Sequence, residues 1–223
     1  MKTTTYSNEK KIENDYSLTP STSHAILKSG LNFLIAVAFC ALVNLALRID
    51  YVVLGNTLGE ESVTEFMEQI MLIISASSFY YLAKTKPQLK HAAVLIGSFF
   101  LVMLIRENDG FLDHIAHGSW VYPALFVTFS ALFYAFKNGK QTLDQMAVIL
   151  SSNYMNMLIL GVVLLLVYSR LFGMGDFWKG VMQEHYIRDV KNIAEEGTEL
   201  LAYCIIAFSS FKIMRGFRKQ KAH

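Results

Sequence analysis

The chain has 223 residues, 53% hydrophobic and 17% charged, with a net charge of +2. A soluble domain carries about 25% charged residues, so the composition, with its apolar residues gathered into six blocks, excludes an ordinary soluble protein and specifies an all-α polytopic membrane protein, a six-helix bundle. No basic stripe points to nucleic acid, and Cys40 and Cys204 both fall inside apolar blocks, which excludes a disulfide framework.

Residues 1–29 are polar and rich in Ser, Thr, Lys and Glu, and read as a mobile cytoplasmic tail ahead of a membrane domain over 30–215. About 30 polar residues before the first apolar block argue against a cleavable signal peptide. Phe39 is too bulky for Cys40 to be a lipoprotein cleavage site, so the first block is expected to stay as an anchor. The predicted spans are 31–47, 70–82, 92–105, 122–136, 155–168 and 200–211. The first ends at Arg48 and Asp50, and a turn from Gly55 to Gly59 leads to the second. Pro87 ends the second in a tight Lys84-Thr-Lys-Pro turn. Pro123 suits the first turn of the fourth. Between the fifth and sixth, Phe172, Phe177, Trp178, Val181, Met182 and Tyr186 predict an amphipathic piece at the interface. Both tryptophans, Trp120 and Trp178, fall where an aromatic belt is expected. A basic tail, 216–223, follows the last span.

Six spans assign each charge to a side. Of the 20 Lys+Arg, 14 fall with the termini and the Lys84/Lys86/Lys90 and Lys137/Lys140 turns, together with four acids, Glu9, Glu13, Asp15 and Asp144. The basic excess places that side in the cytoplasm. The other 14 acids lie outside with six Lys+Arg. A helix needs about 20 residues to cross the hydrocarbon, yet the second, third and sixth apolar runs have only 13, 14 and 12. Lysines and arginines fix their inner ends, so the shortfall must be made up outward. That draws in Glu65 and Glu68, then Arg106, Glu107 and Asp109, then Glu195, Glu196 and Glu199. A charge in hydrocarbon costs from about 2.5 to over 10 kcal/mol, so these groups are expected to face one another or water.

Helical phase points the same way. Glu61, Glu65 and Glu68 share a face, and His185, Asp189, Asn192, Glu196, Glu199 and Tyr203 form one stripe if their helix is continuous. Glu107, His114 and His117 fall on one side of the third helix unless Gly110 bends it. Acids in first turns, such as Glu60, Glu61, Glu195 and Glu196, have a plain role against the helix dipole. Glu68 and Glu199 lie a turn deeper, where that role fades. Glu107, Asp109 and Asp113 sit at a helix C-terminus, against the local field, where an ion-pair network with Arg106, joined by Arg48, Arg170 or Arg188, is the plain alternative. Carboxylates beside imidazoles suit zinc, iron or manganese. The expected metal ligands are Asp113, His114, His117, His185, Asp189 and Glu196, with Glu68, Glu107 and Glu199 as catalytic carboxylates. His24, His91 and His223 read as bland, Asn32, Asn44, Asn153 and Asn156 as interhelical hydrogen-bonding groups, and Gly161 and Ser75/Ser77/Ser78 as close helix contacts.

The second and sixth spans share an E-x-x-E, Glu65-Phe-Met-Glu68 and Glu196-Gly-Thr-Glu199, each followed by a Ser-Ser-Phe. Glu195-Glu-Gly-Thr-Glu199 resembles the Arg-Glu-Gly-Leu-Glu motif of the high-affinity iron permeases, whose paired glutamates bind iron. The likeness covers five residues, and Glu195 stands where that family has arginine, so it does not amount to membership. The expected function is a metal-dependent hydrolase of a lipid or lipid-linked substrate, in a bacterial inner membrane, with membrane lipid and a second copy of the chain as expected partners. Divalent-cation transport through the paired glutamates is the first alternative, and a non-enzymatic sensor or assembly partner the second. An enzyme is preferred because the charges stop in the outer third of the bilayer and the inner halves of the spans look dry, whereas transporters keep polar groups near the midplane.

Overall fold

The computed structural model describes residues 22–55, 62–114 and 116–219, and among these it holds helices and turns but no strand. The expectations for Gly59, Glu60 and Glu61, for most of the N-terminal tail and for the last four residues lie outside the described residues. Contacts divide the chain into Met1–Ala41 and Leu42–His223. Helix α1 (Thr22–Arg48) runs on into a π-helical turn, Ile49–Val53. Then come α2 (Val63–Thr85), a 3₁₀ turn at Pro87–Leu89, α3 (Lys90–Glu107), the short α4 (Asp109–Asp113) and α5 (Val121–Lys137). After α6 (Gly139–Leu150), α7 (Met155–Val163) continues through a π turn, Leu164–Tyr168, into α8 (Ser169–Phe172). The short α9 (Gly175–Met182) and a 3₁₀ turn, Gln183–His185, lead to α10 (Arg188–Lys219).

Among the described residues, five stretches are long and apolar enough to cross a membrane: Ala25–Val53, Val63–Thr85, Pro87–Glu107, Met155–Phe172 and Arg188–Lys219. The predicted fourth span, α5, has 17 residues. At 1.5 Å per residue it covers about 25 Å, short of a hydrocarbon core about 30 Å thick. The other helices extend as the hydrocarbon argument requires. Helix α2 starts at Val63 and includes Glu65 and Glu68, α3 reaches Glu107, and α10 has 32 residues instead of the 12 of its apolar run.

Helices α2, α3 and α10 pack together, with α7 against α10 and α5 against α3. Leu72, Phe79, Phe100, Tyr203, Ile206 and Ile213 form the centre, and the Phe79 and Phe100 rings stack at 5.9 Å. Lipid tails are as apolar as these side chains, so close backbone approach must supply much of the attraction between spans. Small residues provide it. A Cβ on Gly161 of α7 would lie 2.8 Å from Ile206 Cγ1, and one on Gly97 of α3 would lie 3.4 Å from Phe79 Cβ. Helix α5 buries Ala124, Ala131 and Ala135 and exposes Phe126, Phe129, Phe133 and Phe136, the division expected of a helix with one face to lipid.

Two helix starts are held by side chains from elsewhere. Asp50 is fully buried. Its carboxylate accepts from the Val63 and Thr64 N–H groups at 2.8 and 2.9 Å and from Thr64 Oγ1 at 2.6 Å. It thus satisfies orphan donors at the positive end of α2, with Ser62 Oγ accepting from Glu65 N at 3.1 Å. At the opposite end of the bundle, Gln145 Oε1 accepts from the N–H groups of His91 and Ala92 at 2.9 and 3.2 Å. Gln145 belongs to α6, a helix beyond the predicted spans, which buries Thr142, Gln145 and Ile149. His91, read as bland, packs its ring on Tyr134 at 4.7 Å and lies 2.9 Å from the Asn138 amide. Beyond α8 the predicted interfacial piece is α9 with its neighbours, where Phe172, Phe177 and Trp178 cluster and Trp178 Nε1 donates to the Phe172 carbonyl at 2.7 Å.

Candidate functional site

At the end of the bundle where α2 and α10 begin and α3 ends, a cavity of about 330 Å³ opens. Its lining is entirely polar: Ser62, Glu65 and Glu68 from the start of α2, Arg106, Glu107 and Asp109 from the end of α3 and beyond, Arg170 from α8, and Arg188, Lys191, Asn192, Glu195, Glu196 and Glu199 from α10. The apolar runs of three spans were too short, and the acids that complete them converge here.

At the floor are Glu68 and Glu199, both buried, with Glu196 half-buried beside them. One carboxylate oxygen from each lies within 4.8 Å of the others, close enough to share a single cation. Glu68 is 1% exposed, and its Oε1 is buried without a hydrogen-bond partner. Leaving a buried acceptor unpaired costs about 1–3 kcal/mol, more when it is charged, and this one faces two further carboxylates.

Neighbours fix the rest of the wall. Ser169 Oγ donates to Glu199 Oε1 at 3.0 Å, and Arg170 lies 3.5 Å from that oxygen and 3.8 Å from Glu195. Lys191 is paired with Glu195 one turn along α10. A Cβ on Gly173 would overlap the Glu195 carboxyl group, so the glycine makes room for this carboxylate. Across the cavity, Tyr203 Oη donates to Glu107 Oε1 at 2.7 Å, with Arg106 3.6 Å from the same carboxylate. Ser169 and Arg170 follow directly on the π turn of the fifth span, and such turns recur at functional sites.

Of the predicted site residues, Glu68, Glu107, Glu196 and Glu199 meet in this cavity. Asp113, His114, His117, His185 and Asp189 are not among its lining residues. The helical phase behind the histidine expectation breaks at Asn108, whose backbone (φ −102°, ψ 24°) leaves the α3 helix two residues before Gly110. His114 Nδ1 then lies 2.8 Å from the Gly110 carbonyl. His117, fully exposed, sits 3.0 Å from Asp113, which also accepts from the Gly118 N–H at 2.8 Å. These contacts close a surface loop. The α10 stripe is interrupted too, since His185 belongs to the 3₁₀ turn before Arg188 and is exposed. From Asn192 through Glu196 and Glu199 to Tyr203 the stripe runs within one helix, as its spacing predicts. Arg170 is expected only as an ion-pair partner of the outer acids, and it lies beside Glu195 and Glu199. Ser169 and Lys191 are not among the predicted site residues, and of these two only Lys191 has a signal in the sequence, its i,i+4 spacing to Glu195.

Comparison with protein-family models, with curated proteins and with solved structures gives no match in any of the three.

Proposed function

We propose that the chain is an integral membrane hydrolase whose carboxylate cavity binds a divalent cation and acts on a lipid or lipid-linked substrate. The observation that carries this reading is the Glu68 carboxylate, whose Oε1 is buried without a partner and which offers an oxygen within 4.8 Å of ligand atoms from Glu196 and Glu199. A cation between the three would offset their mutual repulsion and replace the missing hydrogen bond. An all-oxygen set suits manganese, magnesium or calcium better than zinc, which favours nitrogen and sulfur. Glu107, held by Tyr203, stands in the same cavity as a general base. In hydrolysis a water oxygen would add to the acyl carbon or phosphorus as Glu107 takes its proton. The ester bond then breaks, and the leaving oxygen receives that proton. The lysine-rich turns and both termini would face the cytoplasm, with α5 as a sixth, short span, so the cavity would open outward. Helical spans suit an inner membrane, since outer-membrane proteins of bacteria are barrels.

Elemental analysis of the purified protein and of Glu68→Gln tests the metal. About one equivalent in the first and a marked loss in the second is expected, and metal-free wild-type protein after incubation with manganese would overturn the reading. Turnover of ester and phosphodiester lipids, lost in Glu107→Gln with the metal retained, tests the chemistry.

Divalent-cation transport has an observation of its own. Farther along α2 and α10, Ser75, Ser78, Ser209 and Ser210 are buried, and the Ser209 and Ser210 hydroxyls have no partner. The inner half is therefore less dry than its composition implies. Manganese uptake into proteoliposomes, lost in Glu68→Ala and in Glu199→Ala and unaccompanied by lipid turnover, would favour transport over hydrolysis.

A further inference from the structure

A second cavity, of about 270 Å³, lies at the opposite end of the bundle, between the connection from α6 to α7 and the last turns of α10. Its polar wall is Ser151, Ser152, Asn153 and Lys212, and its apolar wall includes Val148, Ile213 and Phe217. Three features set it apart from a plain packing gap. The Ser152 hydroxyl is buried and has no hydrogen-bond partner. Lys212 pairs with no carboxylate among the described residues. Its Nζ instead sits 5.8 Å from the Tyr154 ring centre and 5.0 Å from that of Phe208, which holds the charge at the cavity without neutralising it. The surrounding segments are basic, with Arg215, Arg218 and Lys219 following on α10. A cation, a free hydroxyl and an amide above an apolar wall match the head of an anionic lipid: phosphate on the polar side, glycerol and the first acyl carbons on the other.

We infer that this cavity binds the phosphate-bearing headgroup of an anionic phospholipid, with Lys212 as the charge partner and Ser152 as a hydrogen-bond donor. The site is independent of the carboxylate cavity. Basic pockets between spans are a recurrent way of holding such headgroups, and occupancy here would tie α6 and α7 to the end of α10.

Native mass spectrometry of the protein in micelles holding equal phosphatidylglycerol and phosphatidylcholine tests the assignment. Wild type is expected to retain phosphatidylglycerol at least tenfold over phosphatidylcholine. Lys212→Ala should lose that preference, Lys212→Arg should keep most of it, and Ser152→Ala should weaken it severalfold. Lys219→Ala, which removes a nearby charge outside the cavity, should leave it intact. Equal retention of the two lipids, or equal losses in Lys212→Ala and Lys219→Ala, would overturn the proposal. Retention of inorganic phosphate by wild type and its loss in Lys212→Ala, with no preference between the two lipids, would assign the site to free phosphate and overturn the lipid.

Discussion

Glutamine at position 68 removes one charge from the carboxylate trio and keeps the side chain's volume. Changes even to groups behind metal ligands lower affinity about 10- to 100-fold. Loss of one of three charged ligands is therefore expected to cost about a hundredfold, or about 2.7 kcal/mol at 1.4 kcal/mol per tenfold. The loss is readable as stability, because a ligand that binds only the folded state stabilises it by RT ln(1 + [L]/Kd). At a metal concentration one hundred times the wild-type Kd, wild type gains about 2.7 kcal/mol and Glu68→Gln about 0.4 kcal/mol. For a chain of 223 residues, that corresponds to a rise in Tm of roughly 5–10 °C against roughly 1 °C. In chelator the order reverses. The variant, with a neutral amide in place of a buried carboxylate facing two others, should be at least as stable as wild type. Thermal unfolding in detergent, with EDTA and then with manganese, gives all four values. A wild type whose Tm ignores manganese, or a variant that shifts as far as wild type, would refute the reasoning.

Replacing His114, His117 and His185 together by alanine should leave metal content and the manganese-dependent Tm shift unchanged, since none lines the cavity; loss of metal in that variant would restore a histidine site. Asp50→Ala removes an acceptor of three hydrogen bonds at the start of α2 and should destabilise the protein by at least about 2 kcal/mol, measured by unfolding in mixed micelles at fixed lipid. Gly161→Ala places a Cβ 2.8 Å from Ile206 Cγ1 and should cost about 1–3 kcal/mol. In the Gly161→Ala/Ile206→Ala double variant that clash is relieved, so the two losses should sum to more than the loss measured for the pair.

The convergence of Glu68, Glu107, Glu196 and Glu199 was legible because it follows from lengths. Apolar runs of 12 to 14 residues cannot cross about 30 Å of hydrocarbon, and helices that run on must carry their acids with them. That reasoning needs only the helical rise and the inner anchor of each span. The histidine expectation needed more, namely unbroken helical phase from Glu107 to His117, and one non-helical residue, Asn108, removed it. Phase persists along α10, so Asn192, Glu196, Glu199 and Tyr203 kept their alignment while His185, before the helix start, did not. The capping of α2 by Asp50 and of α3 by Gln145 was hidden for a different reason. These bonds join residues 13 and 54 positions apart, and only the packing of whole helices sets such distances.

The same geometry bears on enzyme against transporter. The carboxylates reach the cavity from both helix polarities: Glu68 and Glu199 on helices that enter by their N-termini, Glu107 at the C-terminus of α3. Near an N-terminus the backbone favours negative charge, and near a C-terminus it opposes it. Glu107 therefore needs local help to stay in place, which Tyr203 and Arg106 supply, whereas Glu68 has no such partner at Oε1. A purely structural ion-pair network would distribute its cations to cancel every acid. Here Arg106, Arg170 and Lys191 pair with Glu107, Glu195 and Glu199, while Oε1 of the buried Glu68 has no hydrogen-bond partner. One turn farther along, Leu72 follows Glu68 on α2 and Tyr203 follows Glu199 on α10, both buried in the core, and the serine hydroxyls beyond them carry no charge. The unpartnered Glu68 oxygen at the floor of a polar cavity supports the proposed cation site, and the assays of manganese uptake and lipid turnover separate passage from chemistry.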